Sequence, residues 1–545
     1  MSVSARGRFG RRLTRALAAA AVLALAVGTS VAFGDDDGDN IQPVDFVHNA
    51  TGAPAPVSGA VFGSGPATKL GKAICTTPTQ NTANVNTDCE GTNPHNETSI
   101  AVNPTNTDNL IGGLNDYQLG VNPGGHVSES IQSRAHVSFD GGKTWSEYPI
   151  RANRTYQATG DPAVAFDASG RAYYATLGFR FVGPVNATNP DIVMATSGDG
   201  GRTWHSKTIA RGSGVETSVG DLLDKEYVAA WGDGNAIVTY GDFRLGQKGA
   251  LVSARIHALV THDGGATWSA SHVISGNLDE AFVSVPTVTS DGRVFVSFLN
   301  TTDLVTGRDD YEVVQVDPNT GARLAGPFKV ATVIDGATDY PIALGRQTYH
   351  DSAFRSWAAG NITADPTNPD HLAVVWSDMR NSTLPAPADP YAASTNSDVI
   401  VSQSTDSGRH WSAPTSIRLR GDQWMPWGAY DNSGTLQIGT FDRHRDPANQ
   451  KYGYTLLSET SPGPLSFTSH VVSTAMSDPT KGSAWFARTI NPAFPNANAF
   501  IGDYSNIAAM PDGSGVVALW TDLRNQACFA GACGHGEDAY FAKVG

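Results

Sequence analysis

Cysteine is scarce, with four in 545 residues, and neither neighbouring pair has the two-residue spacing of a zinc ligand set. Charge is thin as well. Asp, Glu, Lys and Arg make up 16%, and 37 basic residues against 52 acidic ones leave a formal charge of −15. A field of that sign repels phosphate before contact, which excludes a general nucleic-acid or anionic-membrane binder. Past the N-terminus, no apolar run approaches the ~20 residues of a membrane helix. HExxH, Walker A and G-x-S-x-G patterns are absent too, and with them the chemistry each would carry. What is present is a 40% hydrophobic content, 58 Gly and 30 Pro, the profile of a globular chain with many short turns.

The N-terminus reads as an export leader over residues 1–32. Arg6, Arg8, Arg11, Arg12 and Arg15 precede the apolar stretch Ala16–Val27, and Ser30-Val31-Ala32 is a small-x-small cleavage pattern. The mature chain is expected to begin near Phe33 and to be secreted, with no membrane attachment after cleavage. An exported chain favours disulfides, so Cys75 with Cys89 and Cys528 with Cys533 are the expected pairs. The run Asp35-Asp36-Asp37-Gly38-Asp39-Asn40 lacks the downstream bidentate Glu of a calcium loop and reads as a solvated tail.

Four segments repeat one pattern, S/T-x-D-x-G-x-x-W: Ser138–Trp145, Ser197–Trp204, Thr261–Trp268 and Ser404–Trp411. The Asp can accept hydrogen bonds from turn amides, Gly supplies positive φ, and Trp covers the strand pair beneath. With these repeats the sequence resembles the Asp-box (BNR-repeat) proteins of the sialidase superfamily. The resemblance implies an all-β fold, a β-propeller of four-stranded antiparallel blades in which the Asp-boxes are structural.

Seven inner-strand starts can be counted, near Glu97, Asp161, Lys225, Val285, Asn361, Trp424 and Asp503. Their spacing of roughly 60–80 residues suits one blade each. Seven blades are therefore expected, with six, the usual number in the superfamily, as the alternative. Degenerate turns stand at Asp317–Gly321 and Ser458–Phe467. Residues 33–94 form an N-terminal extension and 95–545 the propeller. A segment between Ile41 and Cys75 is expected to supply the outer strand of the last blade.

With strands named A to D from the channel outward, the Asp-boxes fall on C–D turns. A-strand starts and B-strand ends share the opposite rim, where pockets are expected. That rim carries Asp242/Arg244, Asp378/Arg380, Asp522/Arg524, Asp442-Arg443-His444-Arg445, Asn115-Asp116-Tyr117, Glu97, Asp161, Lys225, Glu226, Asn361, Asp503 and Tyr504. Trp424, Trp427 and Trp357 lie near it and could stack on sugars. Each Asp-x-Arg is either a latch to the neighbouring blade or part of a clamp on a substrate carboxylate.

The resemblance implies a tyrosine nucleophile with a Glu base, an Asp acid and an arginine triad. The Arg-Ile-Pro hallmark is absent, so no residue transfers by motif. On the rim alone the assignment is Tyr504 as nucleophile, Glu226 as base and Asp116 as acid. Arg244, Arg380 and Arg524 form the clamp, and Asp161, Asp503 and Trp424 bind the substrate. The expected function is a secreted, sialidase-like exo-glycosidase acting on acidic sugars. The alternatives are a non-catalytic glycan- or protein-binding propeller, or a polysaccharide lyase or hydrolase of another specificity, for which Tyr349-His350 offers a lyase pair. The expected partner is a glycan or polysaccharide met by a monomer. No cofactor is required, a structural calcium being the one metal left open.

Overall fold

The computed structural model describes residues 71–545 except 92, 122–126, 151, 153–155, 183–185, 216–218, 248–249, 304–307, 335–341, 344–345, 348, 350–353, 355, 357, 383–395, 461–464, 482–500 and 530–531. The leader and the acidic run at Asp35 lie outside these residues. Among the described residues, seven four-stranded antiparallel sheets are arranged in a ring. Six are simple meanders whose inner strands are His95–Val102, Ala158–Phe166, Gly220–Trp231, Ala281–Val288, Asn361–Ala364 and Gln423–Tyr430; these are blades 1 to 6.

Blade 7 is composite. Asn506–Ala509, Val516–Asp522 and Asp538–Val544 provide three strands, and Val85–Asn86 pairs with Tyr540 and Phe541 as the fourth. The closing strand thus comes from the N-terminal extension, but downstream of the Ile41–Cys75 segment expected to supply it. A two-residue strand leaves no alternation to read in sequence. The Cys75–Cys89 disulfide closes the loop that contains this strand, and Cys528–Cys533 ties the hairpin Gln526–Phe529/Ala532–His535.

Second strands are buried on both faces. Ala172–Phe179, Leu372–Asp378, Leu436–Asp442 and Val516–Asp522 are buried at every residue, whereas the outer strand His205–Ala210 alternates into solvent. The apolar clusters follow the seams between blades. Val102, Leu110, Trp145, Leu519 and Phe541 join blade 1 to blade 7, and Leu177, Met194, Tyr227 and Val238 join blade 2 to blade 3. Further clusters bridge each remaining seam.

The four S/T-x-D-x-G-x-x-W turns behave alike. In the first, Asp140 Oδ1 accepts from the Lys143 and Thr144 amides at 3.0 and 2.9 Å, and Oδ2 accepts from Thr144 Oγ1 at 2.7 Å. Trp145 Nε1 donates to Gly142 O at 3.0 Å. Trp204, Trp268 and Trp411 repeat that bond. At Gly142, φ is 93° and any Cβ would strike the Phe541 ring, so the turn also sets the approach of blade 7. These turns bond to A–B turns, as in Gly141 N to Asp108 O and Gly264 N to Gly234 O, and so lie on the face opposite the A-strand starts.

The exposed Asp263 and Asp406 carboxyls are held down to about 2, first by side-chain bonds from Thr267 and His410 and then by turn amides. A depressed carboxyl stabilises the fold above its unfolded pKa, near 3.8, and that stabilisation is lost as pH falls through about 2. Melting temperatures of Asp406→Asn and the parent, measured from pH 6 to pH 2, should differ most at pH 6 and converge at pH 2. Asp140→Ala, which orphans two amides and two hydroxyls beside the closing seam, should cost about 1–3 kcal/mol in denaturant unfolding.

Candidate functional site

The inner strands share a distortion near their starts. Register shifts at Asn96/Ser99, Gly160/Ala163, Asp224/Tyr227, Phe282/Val285 and Trp424/Trp427 insert an extra residue into five blades. Inside each bulge a non-glycine residue has positive φ: Glu97 (52°), Asp161 (56°), Lys225 (54°), Val283 (51°) and Met425 (47°). Such a conformation costs roughly 1–2 kcal/mol for an L-residue, and Val283, being β-branched, is the least suited. The backbone repeats while the side chains differ.

Blades 1, 2, 3 and 7 bring charge. Lys225 Nζ lies 2.6 Å from Asp161 Oδ2, 2.7 Å from Asp503 Oδ2 and 3.4 Å from Glu97 Oε1, with all four side chains buried. Asn115 buttresses the group by donating to Glu97 Oε2 and accepting from the Asp161 amide, both at 2.9 Å. Burial alone would lower the Lys225 pKa, but the surrounding Asp161, Asp503, Glu97 and Asp224 carboxylates raise it well above the ordinary value. Lys225 is therefore a fixed ammonium. Asp224 beside it is pushed up to about 7 by burial, against the pull of Lys225.

Blades 4, 5 and 6 bring apolar surface. Val283, Ala359, Gly360, Met425, Pro426 and Trp427 face Lys225, Asp503, Tyr504 and Tyr227 across a cavity of about 20 Å³, space for one water. Trp427 stacks on Tyr227 with ring centroids 5.6 Å apart, and Tyr504 meets Tyr227 edge-on at 5.5 Å. A small socket with one aromatic, apolar wall and one wall of carboxylates and an ammonium has the make-up of a polar-ligand site.

The residues assigned from sequence separate. Tyr504 reaches this socket, but its hydroxyl donates to Pro162 O at 2.9 Å, and burial raises its pKa well above 10. This is a tyrosine bridging blades 7 and 2, held away from phenolate. Glu226 is buried with both carboxylate oxygens without a partner, and burial raises its pKa well above the carboxylate range, so it is a neutral acid. Asp116 belongs to another cluster, beside Arg134 at 2.8 Å and His95 at 3.6 Å. Asp161 and Asp503 bind Lys225.

The arginine clamp does not form. Arg380 bonds Asp378 through Nε and NH2, at 2.9 and 2.6 Å to its nearest oxygens, and reaches Thr332 O on blade 4 at 2.9 Å. Arg524 does the same to Asp522, with Thr474 Oγ1 of the preceding blade at 2.9 Å. Trp376 and Trp520 donate to the same two carboxylates. Arg244 is exposed on its strand. Arg380 and Arg524 are thus latches between blades. Arg443 is buried under Phe354 and Trp424, with NH1 3.4 Å from Asp422 Oδ2. Trp424 is wholly buried among Tyr349, Phe354, Phe441 and Tyr452, a core residue without a free face for sugar. His350 and Trp357 lie outside the described residues. Met425, Val283 and Tyr227, absent from the sequence-based assignment, carry no motif; only their place beside the inner-strand starts could have pointed to them.

No family model matches the chain, and no curated protein matches it. Solved structures similar to it include a Hadza microbial sialidase (12% identity, 77% of this chain and 76% of that chain, TM-score 0.39). An α-L-arabinofuranosidase of Fusarium graminearum in complex with arabinobiose is 11% identical over 86% of this chain and 98% of that one, with a TM-score of 0.41. An ulvan lyase is 11% identical over 70% of this chain and 94% of that one, with a TM-score of 0.39. Likenesses this distant do not transmit an activity.

Removing the ammonium leaves three carboxylates facing one another in a dry site. Lys225→Met should destabilise the fold by about 3–5 kcal/mol at pH 7. The deficit should shrink as pH falls and the carboxylates take up protons, which thermal melts from pH 7 to pH 4 would show. Arg380→Ala and Arg524→Ala should lower the melting temperature while leaving affinity for any glycan within about twofold, as latches and unlike a clamp.

Proposed function

We propose that this chain is an exported, carbohydrate-active propeller whose ligand site is the channel mouth, and that its chemistry is glycoside hydrolysis by the carboxylates gathered on Lys225. The observation that carries the reading is the split ring: Glu97, Asp161, Lys225 and Asp503 on one side, the Trp427–Tyr227 stack on the other. Sugars have an apolar face that stacks on aromatics and hydroxyls that bond carboxylates. Asp161 and Asp503 oxygens lie 2.6 and 2.7 Å from one nitrogen, so the two carboxylates are close neighbours, as a retaining carboxylate pair requires. Export fits the Cys75–Cys89 and Cys528–Cys533 disulfides. Among the described residues no helix is long and apolar enough to cross a membrane.

The exo-sialidase activity implied by the Asp-box resemblance is the narrower form of this reading. It loses its arginine clamp to the blade latches and its tyrosine nucleophile to the Tyr504–Pro162 bond. A second reading, glycan binding without turnover, is favoured by the ion pairs that commit both Asp161 and Asp503 to Lys225.

A release screen on the purified mature protein separates them. Its panel should hold sialosides, neutral pentosyl and hexosyl glycans and uronate polymers. Hydrolysis by the carboxylates predicts product from the parent, a loss of at least about 100-fold in kcat/KM for Asp161→Asn and Asp503→Asn, and nearly parental turnover for Tyr504→Phe. Loss of turnover in Tyr504→Phe alone would restore the tyrosine mechanism. Saturable binding with no product from any substrate would establish the binding reading in its place.

A further inference from the structure

A second polar cluster lies away from the channel, in the seam where the ring closes. Each strand of blade 1 contributes one side chain to it: His95, Asp116, His136 and Glu147. Cross-strand pairing sets His95 opposite Asp116 and His136 opposite Glu147, so all four share the face turned toward blade 7. His95, Asp116, His136 and Glu147 side chains are fully buried. One ligand atom each from His95, His136 and Glu147 lies within 4.8 Å of the others. His95 Nε2 is 3.6 Å from Asp116 Oδ1, and His136 Nε2 is 4.0 Å from Glu147 Oε1.

The hydrogen bonding leaves buried ring nitrogens without partners. Thr87 Oγ1 donates to Ala539 O at 3.1 Å, spending its one proton. Its 3.0 Å contact with His136 Nδ1 must then be an Nδ1–H donation, which leaves Nε2 bare. That Nε2 has no partner, nor does either ring nitrogen of His95, and all three atoms are buried. An unpartnered buried nitrogen is costly, so three together call for an occupant. Arg134 orients both carboxylates from behind, NH1 bonding Glu147 Oε2 at 3.0 Å and Nε facing Asp116 Oδ2 at 2.8 Å. Asp88 and Asp538 lie within 4.8 Å of a His95 nitrogen, and Glu90 also bonds Arg134. Five carboxyl groups, Asp88, Glu90, Asp116, Glu147 and Asp538, thus gather around one guanidinium and two imidazoles.

We infer that His95, His136 and Glu147, with Asp116 as fourth ligand, form a structural binding site for a zinc-type divalent cation that locks the ring closed. Two imidazoles and two carboxylates are a borderline donor set, suited to Zn²⁺ in preference to Ca²⁺ or Mg²⁺. The Thr87 bond to His136 is the outer contact that fixes a ligating tautomer. The ion would tie blade 1 to the closing segment: Thr87 N bonds Ala539 O and His95 N bonds Glu537 O, on the last strand and just before it. This site is independent of what the channel mouth does.

Metal analysis of tag-free, disulfide-intact mature protein should find about one zinc per chain after dialysis. Chelation should lower the melting temperature by at least about 5 °C, with zinc restoring it and calcium or magnesium failing to. Cobalt in the stripped protein should give the visible absorption of a four-coordinate N/O site. His136→Gln and Glu147→Gln should lose the metal. Should these variants fail to fold, chelation and refilling of the parent protein still decide. A metal content below about 0.1 per chain with no thermal response to zinc would overturn the site, as would restoration by calcium alone. A proton on His95, facing the carboxylates, would then be what holds the seam.

Discussion

Burial of both faces of every blade is the constraint on which the rest of the molecule depends. A single four-stranded sheet such as blade 5 has Val374 and Trp376 on one face and Ala373 and Val375 on the other, each completely buried. No two-layer arrangement covers both faces of seven such sheets; a closed ring does. Apolar burial at about 25 cal/mol per Å² makes each seam a large stabilising term. An open ring would expose the facing surfaces of blades 1 and 7, including Leu519, Phe541 and Trp145. Closure is therefore where the fold is most exposed to loss. The chain concentrates its fastenings there: the Val85–Asn86 strand, the Cys75–Cys89 disulfide, the Trp145–Phe541 contact and the buried histidine–carboxylate group.

The same constraint governs where polarity can sit. Inner strands converge at the channel, so a charged residue there is surrounded by its counterparts from other blades. Lys225 is buried because three blades supply carboxylates to it. Tyr227 and Trp427 stack across the channel for the same reason, the curvature of the ring bringing blades 3 and 6 face to face. Ring geometry alone thus converts residues as many as 406 positions apart into one socket.

Much of this architecture is legible in the chain. Four Asp-boxes and seven alternating starts give the fold, the blade count and the face on which each turn lies, because those features repeat and their physics is local. Both disulfide pairs follow from sequence proximity. The two-residue closing strand is hidden because it has no pattern of its own. The site is only half legible. Glu97, Asp161, Lys225 and Asp503 are visible as polar starts, yet nothing in their spacing says that one ammonium gathers three carboxylates. Asp116 and Tyr504 look like an acid and a nucleophile until their partners, Arg134 with His95 and Pro162 O, are seen. Roles of that kind depend on contacts between distant blades, which no local signal encodes.

Recurrence itself separates scaffold from site. Trp-x-Asp-x-Arg appears in blades 5 and 7 with the same bonds, tryptophan and arginine sharing one carboxylate and the guanidinium reaching the preceding blade. A device repeated with its geometry intact serves the seams where it occurs and carries no specificity for a ligand. The inner-strand bulges recur in five blades with φ near 50°, but there the side chain changes from Glu to Asp, Lys, Val and Met. A position that keeps a strained backbone while its chemistry varies from blade to blade makes the ring asymmetric. An asymmetric lining, charged over blades 1, 2, 3 and 7 and apolar over blades 4 to 6, is what distinguishes one face of a ligand from another. By that criterion the latches belong to stability and the bulge ring to recognition.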